Sequence, residues 1–415
     1  MNAARKKPAG SQQTLMLAIL AGAVMGILCG WFIGEPMASW DWVGEFFLTC
    51  LKMLIVPLVM ASMVVGIGKL GDVRDVGRTG LYTVLYYMAT TAVAVVIGIV
   101  LVVALQPGAG VDIFGAEVPE RVRGKQFGLP DFFLSFISPN IVEAMSEMKL
   151  LPIIIFSLAF GGVASTLGKK GEIIFAFFTA VNEVIMKMVG LILWLAPVGV
   201  FALIAARLGT AGGSEGILNI LQSLGAYTLV VLLGLATHAF VVLPLLLVTL
   251  GGRQPLRYAL GLTEALLSAF ATASSSATIP LTLKCLKENN NIREEAADFV
   301  IPLGATINMD GTALYEAVAA VFIAQAWGID LSGGALVLVC LTATLASIGA
   351  AGIPQAGLVT MVIVLQAVHL PLEGIGLILA IDWFLDRCRT TVNVWGDSVG
   401  AAFIDRRTAA ARAVR

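Results

Sequence analysis

Four long stretches of this chain contain no Asp, Glu, Lys or Arg, and each is longer than a membrane crossing requires. They cover residues 8–34, 79–111, 216–252 and 331–372. A helix needs about 20 apolar residues to cross the hydrocarbon core of a bilayer. Charged residues make up 13% of the sequence, whereas about one quarter of a typical soluble domain is charged. The sequence therefore predicts an all-α polytopic membrane protein.

The positions of Lys and Arg predict how the chain is oriented in the membrane. Cytoplasmic connections are enriched in these residues. Basic residues lie before the first stretch, after the last crossing and in alternate connections, namely Arg5, Lys6, Lys7, Lys69, Arg74, Arg78, Lys169, Lys170, Arg253, Arg257, Arg406, Arg407, Arg412 and Arg415. We therefore expect a multi-pass protein of the cell membrane with both termini in the cytoplasm and an even number of crossings.

Two segments of the C-terminal half are interrupted near their centres. Residues 331–372 would extend for about 63 Å as a straight helix, which is twice the thickness of a bilayer core. Gly and Pro interrupt this segment at 347–357, and residues 254–288 repeat the design with a serine-rich centre at 273–280. We predict two re-entrant hairpins, the first entering from the cytoplasm and the second from outside. Oppositely oriented hairpins indicate inverted repeats with a binding site near the middle of the membrane.

The interrupted centres have two interpretations when each is considered alone. Irregular backbone at membrane depth survives only where protein or a water-filled cavity surrounds it. Serine hydroxyls and freed amides would then be donors for an anion, and freed carbonyls could hold a cation. The alternatives are small residues that pack helices together and a simple kink at Gly and Pro.

The last apolar segment carries a stripe of polar and ionisable residues. At about 100° of rotation per helical residue, six side chains fall within roughly 100° of one another. These six are Asp382, Asp386, Arg389, Thr390, Asn393 and Asp397. A charge inside a membrane costs roughly 2.5 kcal/mol or more, so the stripe predicts a polar pathway or binding site. The alternative is a surface helix end with solvated charges.

A second polar cluster lies in the crossing between the two hairpins. Asn308, Asp310 and Thr312 surround Gly311 in a segment that should otherwise be a continuous helix. Carboxylate, carboxamide, hydroxyl and carbonyl oxygens are the ligands of hard cations. Three more oxygen-bearing side chains lie in the uncharged stretch at 79–111, namely Tyr87, Thr90 and Thr91. They could add cation ligands or form ordinary hydrogen bonds between helices.

The sequence argues against several other classes of protein. Its net charge is −1, so we expect no nucleic acid partner. Its two histidines, His238 and His369, lack an accompanying protease motif, and no nucleotide-binding loop is present, so we expect no enzyme. The five cysteines are scattered and predict neither a disulfide framework nor a metal cofactor.

The motifs together resemble those of the dicarboxylate/amino acid:cation symporter family, the glutamate transporters. The serine-rich tip, NMDGT, SIGAAGIPQAG and DWFLDRxRTTVNVxGD occur in the order and spacing of that family. The resemblance implies eight transmembrane helices, two re-entrant hairpins and an elevator-type transporter that assembles as a homotrimer. It implies scaffold helices 1, 2, 4 and 5 in residues 12–78 and 132–206. The transport domain would comprise helix 3 at 79–106 and residues 216–415, with its hairpins at 254–288 and 332–368.

The resemblance also implies a binding site for an acidic amino acid, L-glutamate or L-aspartate. Arg389 is expected to pair with the side-chain carboxylate of the substrate, and Asp386 with its amino group. Thr312, Thr390 and Asn393 are expected to complete the hydrogen bonding. The hairpin tips are expected to close over the substrate through Ser274, Ser275, Ser276, Ile353, Pro354, Gln355, Ala356 and Gly357.

Sodium is the coupling ion that the resemblance implies, at three sites and without any resident cofactor. The first site would use Gly304, Asn308, Asn393 and Asp397. The second would use Thr306 with carbonyl groups near Ser347, Ile348 and Ala350. The third would use Tyr87, Thr90, Thr91, Asn308 and Asp310.

Departures between family members refine these expectations. Arg389 favours acidic over neutral amino acids, and Asp397 favours sodium over protons. Ala273 replaces an arginine that archaeal members carry just before the serines, and Arg387 resembles the animal excitatory transporters instead. Glu316 matches members that couple transport to protons and potassium, or it is a structural hydrogen-bonding residue. A proton-coupled or sodium-only dicarboxylate symporter and a substrate-gated anion channel on the same scaffold stay open as alternatives.

Overall fold

The computed structural model describes residues 9–68, 77–109, 134, 136–210, 214–348 and 356–413. These residues form helices joined by short turns, and no β-strand occurs among them, as the sequence predicted. The N-terminal helices are Ala9–Ile33, Asp41–Gly68, Gly77–Leu105, Ile141–Ser146, Leu150–Ser165, Lys169–Ile192 and Ala196–Gly209. We call Gly77–Leu105 the third helix. Helices Ile141–Ser146 and Leu150–Ser165 are separated by a break at Glu147–Lys149, and Pro152 fits within the first turn of the second helix.

The C-terminal half contains one long span, two helical pairs, a broken helix and a last helix. The sixth span consists of Ser214–Thr237, His238–Val242, Leu243–Leu246 and Leu247–Gly251, of which the second and fourth are π-helical. After Pro255–Gly261, the first hairpin comprises Thr263–Thr272 and Ser275–Lys284, and it ends in Cys285–Asn289. The broken helix comprises Glu294–Ile307 and Asp310–Ala326, and the second hairpin Gly333–Ile348 and Ala356–Ala367. The last helix is Ile375–Ala413.

Five helical segments of the described residues are long and apolar enough to cross a membrane. They are Glu35–Gly68, Gly80–Leu105, Lys169–Gly209, Leu218–Gly251 and Glu294–Ala326. Shorter apolar helices are Leu17–Ile33, Pro152–Ser165 and Gly333–Ile348. The apolar window of Glu294–Ala326 is entirely buried inside the protein, whereas at most half of each other window is buried. This helix is therefore surrounded by the rest of the chain rather than by lipid.

The core of the molecule is built around the second half of the broken helix. Every residue of Asp310–Ala326 except Gln325 is buried. The segment packs against the third helix, the sixth span, the last helix and both arms of the second hairpin. Asn308 and Met309 leave the helical conformation, with φ/ψ of −107°/86° and −116°/62°. The expectation of a continuous helix was wrong, because surrounding protein can satisfy an unwound turn at this depth.

The first helix packs closely on Ala196–Gly209 through a stripe of glycines four residues apart. A Cβ on Gly26 would lie 2.9 Å from the carbonyl oxygen of Phe201, and one on Gly30 would lie 2.6 Å from the Cβ of Leu208. Small residues at this spacing allow the backbones of two membrane helices to approach each other. Asp41–Gly68 packs on the same partner and on the helices of 150–192, so these elements form one group. The remaining helices pack around the broken helix and the last helix.

Candidate functional site

The polar stripe of the last helix lies inside the protein. Its six members have exposed fractions of 6% or less, namely Asp382, Asp386, Arg389, Thr390, Asn393 and Asp397. The last helix packs against the broken helix, the first hairpin, the third helix and the sixth span. The alternative of a solvated surface helix is therefore wrong.

Arg389 is the largest polar side chain at the centre of this stripe, and it is completely buried. Its Nη2 lies 2.8 Å from Oδ1 of Asp386, one turn away, and 3.1 Å from Oδ1 of Asp382. Its guanidinium carbon lies 4.0 Å from the centre of the Tyr315 ring, which adds a cation–π contact. Its Nη1 makes no hydrogen bond within the described part of the chain. A planar guanidinium with a free N–H group is suited to bind a carboxylate.

Glycine allows the second hairpin to approach this arginine. A Cβ on Gly357, at the start of Ala356–Ala367, would lie 2.9 Å from Nη1 of Arg389. A side chain at this position would therefore collide with the guanidinium. The described residues do not include Ile353, Pro354 and Gln355 of the predicted tip, nor Ala350, which was predicted for the second sodium site.

Asn393 connects the stripe to the unwound turn of the broken helix. Its Oδ1 accepts a hydrogen bond of 2.8 Å from the amide of Gly311, and its Nδ2 donates one of 3.1 Å to Oγ1 of Thr312. A Cβ on Gly311 would lie 2.8 Å from the carbonyl oxygen of Arg389, so only glycine permits this approach. Thr390 is buried on the same face of the last helix. The structure thus brings together five of the predicted substrate residues, namely Thr312, Asp386, Arg389, Thr390 and Asn393.

A cluster of oxygen atoms lies between the third helix and the unwound turn. Thr91 donates a hydrogen bond of 2.6 Å to Oδ1 of Asp310, and Thr90 lies 3.3 Å from both that atom and Oδ1 of Asn308. The hydroxyl of Tyr87 donates to the carbonyl of Val300 at 2.7 Å, one turn before Gly304. All of these side chains are buried. One carboxylate among neutral oxygens is a donor set that suits a hard monovalent cation.

A second cluster lies on the other side of Asn308. Its Nδ2 donates a hydrogen bond of 3.0 Å to Oδ1 of Asp397 on the last helix. Gly304 lies against the same carboxylate, because a Cβ there would be 2.6 Å from Cγ of Asp397 and 2.7 Å from the hydroxyl oxygen of Tyr87. The residues predicted for the first and third sodium sites are therefore adjacent, with Asn308 between them.

The residues predicted for the second sodium site are only partly described. Ser347 and Ile348 are buried at the end of the first arm of the second hairpin, where Ser347 donates a hydrogen bond of 2.8 Å to the carbonyl of Thr344. Thr306 is half-buried and donates to the carbonyl of Leu303 at 3.1 Å.

The tip of the first hairpin is an ordered turn between two helices. Ala273 has a left-handed conformation with φ of 50°, and Ser274 caps the second arm by accepting a hydrogen bond of 3.2 Å from the amide of Ala277. Ser275 is buried and Ser276 is half-buried. Arg387 of the last helix donates to the carbonyls of Phe270 and Ala271 at 2.9 and 2.7 Å. A cation at a helix C-terminus is favourable, so Arg387 connects this tip to the last helix.

Glu316 lies six residues after Asp310 and is completely buried. Thr360 of the second hairpin donates a hydrogen bond to its Oε1, while Oε2 has no hydrogen-bond partner among the described residues. A buried carboxyl group with one unpaired oxygen is costly as a permanent anion. The arrangement therefore suits a group that carries a proton.

Two residues near the site received no role from the sequence. Asp382 belonged to the predicted stripe, and only the structure shows its ion pair with Arg389. His238 of the sixth span is completely buried, and its Nε2 lies 2.9 Å from Oδ2 of Asp310. A single histidine in an apolar span was the available signal, but its partner lies 72 positions away in the sequence.

Comparisons with known proteins place the chain in context. A sequence model described as the sodium:dicarboxylate symporter family matches residues 15–407. Excitatory amino acid transporter 3 of Mus musculus is 41% identical, over 94% of this chain and 85% of its own length. Excitatory amino acid transporter 1 of Ambystoma tigrinum is 38% identical, over 94% of this chain and 81% of its own. An excitatory amino acid transporter of Onchocerca volvulus is 38% identical, over 94% and 89% respectively.

Proposed function

Because this chain belongs to the sodium:dicarboxylate symporter family, we propose that it is a sodium-coupled symporter of acidic amino acids, L-glutamate or L-aspartate. Relatives about 40% identical are named excitatory amino acid transporters. The observation that carries the proposal is the buried guanidinium of Arg389, which has Asp386 beside it and whose Nη1 has no hydrogen-bond partner among the described residues. An acidic amino acid offers a carboxylate to the first of these residues and an ammonium group to the second.

The substrate would lie between the last helix and the unwound turn. Arg389 would bind its side-chain carboxylate, and Asp386 would bind its amino group. Thr312, Thr390 and Asn393 would supply neutral hydrogen bonds. The serine tip of the first hairpin and the second tip near Gly357 would close over it. Buried ions need such complete pairing, since an unpaired charge inside a protein is strongly unfavourable.

Sodium ions would bind at three oxygen-rich places around the broken helix. The adjacency of the two described clusters supports this assignment. Asn308 contacts Thr90 through the oxygen of its carboxamide and Asp397 through the nitrogen. Thr306 and the end of Gly333–Ile348 would hold the remaining ion. No group of three or more His, Cys, Asp and Glu side chains forms a metal site within the described ranges. In each of the two described clusters one carboxylate, that of Asp310 or Asp397, would offset the charge of the bound ion.

We further propose eight transmembrane helices and two re-entrant hairpins that work as an elevator within a homotrimer. The packing supports this division, because the helices before residue 69 and those of 141–209 pack on one another. The helices of 77–105 and 214–413 pack around the broken helix. The first group would be the fixed scaffold, and the second would carry the substrate across the cell membrane. Both termini would face the cytoplasm.

The test is uptake into proteoliposomes under an imposed sodium gradient. Radiolabelled aspartate or glutamate should accumulate above its external concentration when sodium is high outside. A sodium ionophore should abolish accumulation without changing the vesicle volume. Unlabelled aspartate should compete, and alanine should not, because alanine has no distal carboxylate for Arg389. Equal uptake with choline in place of sodium would refute sodium coupling.

A further inference from the structure

Asp310 is held from two sides by different helices. Its Oδ1 accepts from Thr91 of the third helix at 2.6 Å, and its Oδ2 lies 2.9 Å from Nε2 of His238 in the sixth span. The two partners of this histidine contact are completely buried, so neither is solvated. Nδ1 of the imidazole has no hydrogen-bond partner within the described part of the chain. Among the described residues, the imidazole therefore makes its hydrogen bond through Nε2, to the carboxylate of Asp310.

The chemistry of the pair fixes which atom carries the proton. An ionised carboxylate only accepts hydrogen bonds, so Nε2 must donate. A proton on Nδ1 would be a buried donor without an acceptor, which is unfavourable. The geometry therefore corresponds to an imidazole whose Nε2–H group donates to the carboxylate. Such a donor fixes the orientation of the carboxylate.

The backbone of the sixth span is shaped to place this imidazole. His238 begins the π-helical turn His238–Val242, and such turns are rare and frequent at functional sites. The next carbonyl, that of Ala239, accepts a hydrogen bond of 3.1 Å from the indole of Trp395 on the last helix. The π-helical turn is thus held by the same helix that carries Asn393 and Asp397.

We propose that His238 is a positioning residue of the sodium site that contains Asp310. It holds Oδ2, so that Oδ1 stays directed at Thr90, Thr91 and the cation. This inference rests on the proposed function, because it takes Asp310 to be a sodium ligand. Partners that orient a metal ligand typically change metal affinity by about 10- to 100-fold when they are removed.

Three substitutions separate the donor from the volume of the side chain. His238→Gln places an amide N–H near the position of Nε2, whereas His238→Asn places one near Nδ1, too short to reach Asp310. His238→Leu introduces an apolar side chain of similar size that has no hydrogen-bond donor. The measurement is sodium-dependent uptake of labelled aspartate in proteoliposomes at saturating aspartate. We expect the half-saturating sodium concentration to rise about 10- to 100-fold in His238→Leu and His238→Asn.

The rescue and the kinetic pattern distinguish positioning from general damage. His238→Gln should stay within about threefold of the native sodium dependence. The maximal rate at saturating sodium should be nearly native in all three variants, since a lost binding interaction raises the half-saturating concentration alone. Tyr258→Phe is a matched control, because it removes another buried hydrogen bond, of 2.7 Å to the carbonyl of Ser398. It should leave the sodium dependence unchanged.

Each result decides between this inference and the function on which it rests. An unchanged sodium dependence in Asp310→Asn would contradict the assignment of Asp310 as a sodium ligand. The role of His238 alone would be overturned if the half-saturating sodium concentration rose in Asp310→Asn but stayed native in His238→Leu and His238→Asn. Equal losses in all three histidine variants, or failure of both amide variants to fold, would show that the ring is needed for packing rather than as a donor.

Discussion

Substitution of Arg389 by cysteine tests how the site selects acidic substrates. The native guanidinium is completely buried and pairs with Asp386 at 2.8 Å and with Asp382 at 3.1 Å. Cysteine removes the positive charge and most of the side-chain volume. The carboxylate of Asp386 stays in place for the amino group of a substrate. The variant should therefore lose acidic amino acids and keep neutral ones.

The size of the loss follows from the burial of the pair. Breaking a buried ion pair on one side costs roughly 3 to 5 kcal/mol, because the remaining charge is left uncompensated. Since about 1.4 kcal/mol corresponds to a factor of ten, aspartate affinity should fall by roughly two to three and a half orders of magnitude. Serine and alanine bring no second carboxylate near Asp382 and Asp386. They should bind at least as well as before.

The assay is competition for sodium-dependent uptake in proteoliposomes, with unlabelled aspartate, serine and alanine at increasing concentrations. Arg407→Cys is a suitable control, because this arginine lies on the same helix but is exposed, with its guanidinium 3.6 Å from the ring of Tyr82. The control should keep the native preference. If Arg389→Cys bound aspartate with near-native affinity, Arg389 would not be the partner of the distal carboxylate.

Two further changes test coupling and packing. Glu316→Gln removes a buried carboxyl group that Thr360 contacts. Proton-driven net uptake and its stimulation by internal potassium should therefore disappear. Sodium-dependent exchange of labelled for unlabelled substrate should continue. A wild-type protein without any potassium effect, and the same profile in the variant, would instead indicate a sodium-only symporter. Gly304→Ala places a methyl group 2.6 Å from Cγ of Asp397, so the half-saturating sodium concentration should rise at least about tenfold. Gly225→Ala, where the added methyl group meets no atom of the described residues within 4 Å, should behave like wild type. Equal behaviour of the two alanine variants would contradict the close packing at Gly304.

Much of the helical architecture could be predicted, because the lengths of the apolar segments and the positions of the charged residues are properties of the local sequence. The polar stripe of the last helix follows from helical periodicity alone, and its burial follows from the cost of charges in a membrane. Gly and Pro near 347–357 predicted an interruption there. The helices Gly333–Ile348 and Ala356–Ala367 end and begin at that place, while residues 349–355 lie outside the described part.

The features that the sequence did not predict depend on contacts between distant residues. The helix breaks at Asn308 and Met309, although neither residue is a strong helix breaker. Asn393 of the last helix accepts a hydrogen bond from the amide of Gly311, just after the break, while Thr90 and Thr91 of the third helix bond the side chains of Asn308 and Asp310. The partner of His238 lies in another span, and a single histidine gives no periodic pattern. The pairing of Arg389 with Asp382 crosses two helical turns. A helical wheel places these residues on one face but does not show which contacts form.

The carboxamide of Asn393 has a consequence for the energetics of transport. It joins the amide of Gly311, next to Asp310, to the hydroxyl of Thr312 through bonds of 2.8 and 3.1 Å. A movement of Asn393 that shortens one of these two hydrogen bonds therefore also changes the other. Thermodynamic linkage is reciprocal, so the factor by which sodium tightens substrate binding is also the factor by which substrate tightens sodium binding. Mutual dependence of this kind disfavours carriers loaded with only one of the two, which would otherwise dissipate the ion gradient.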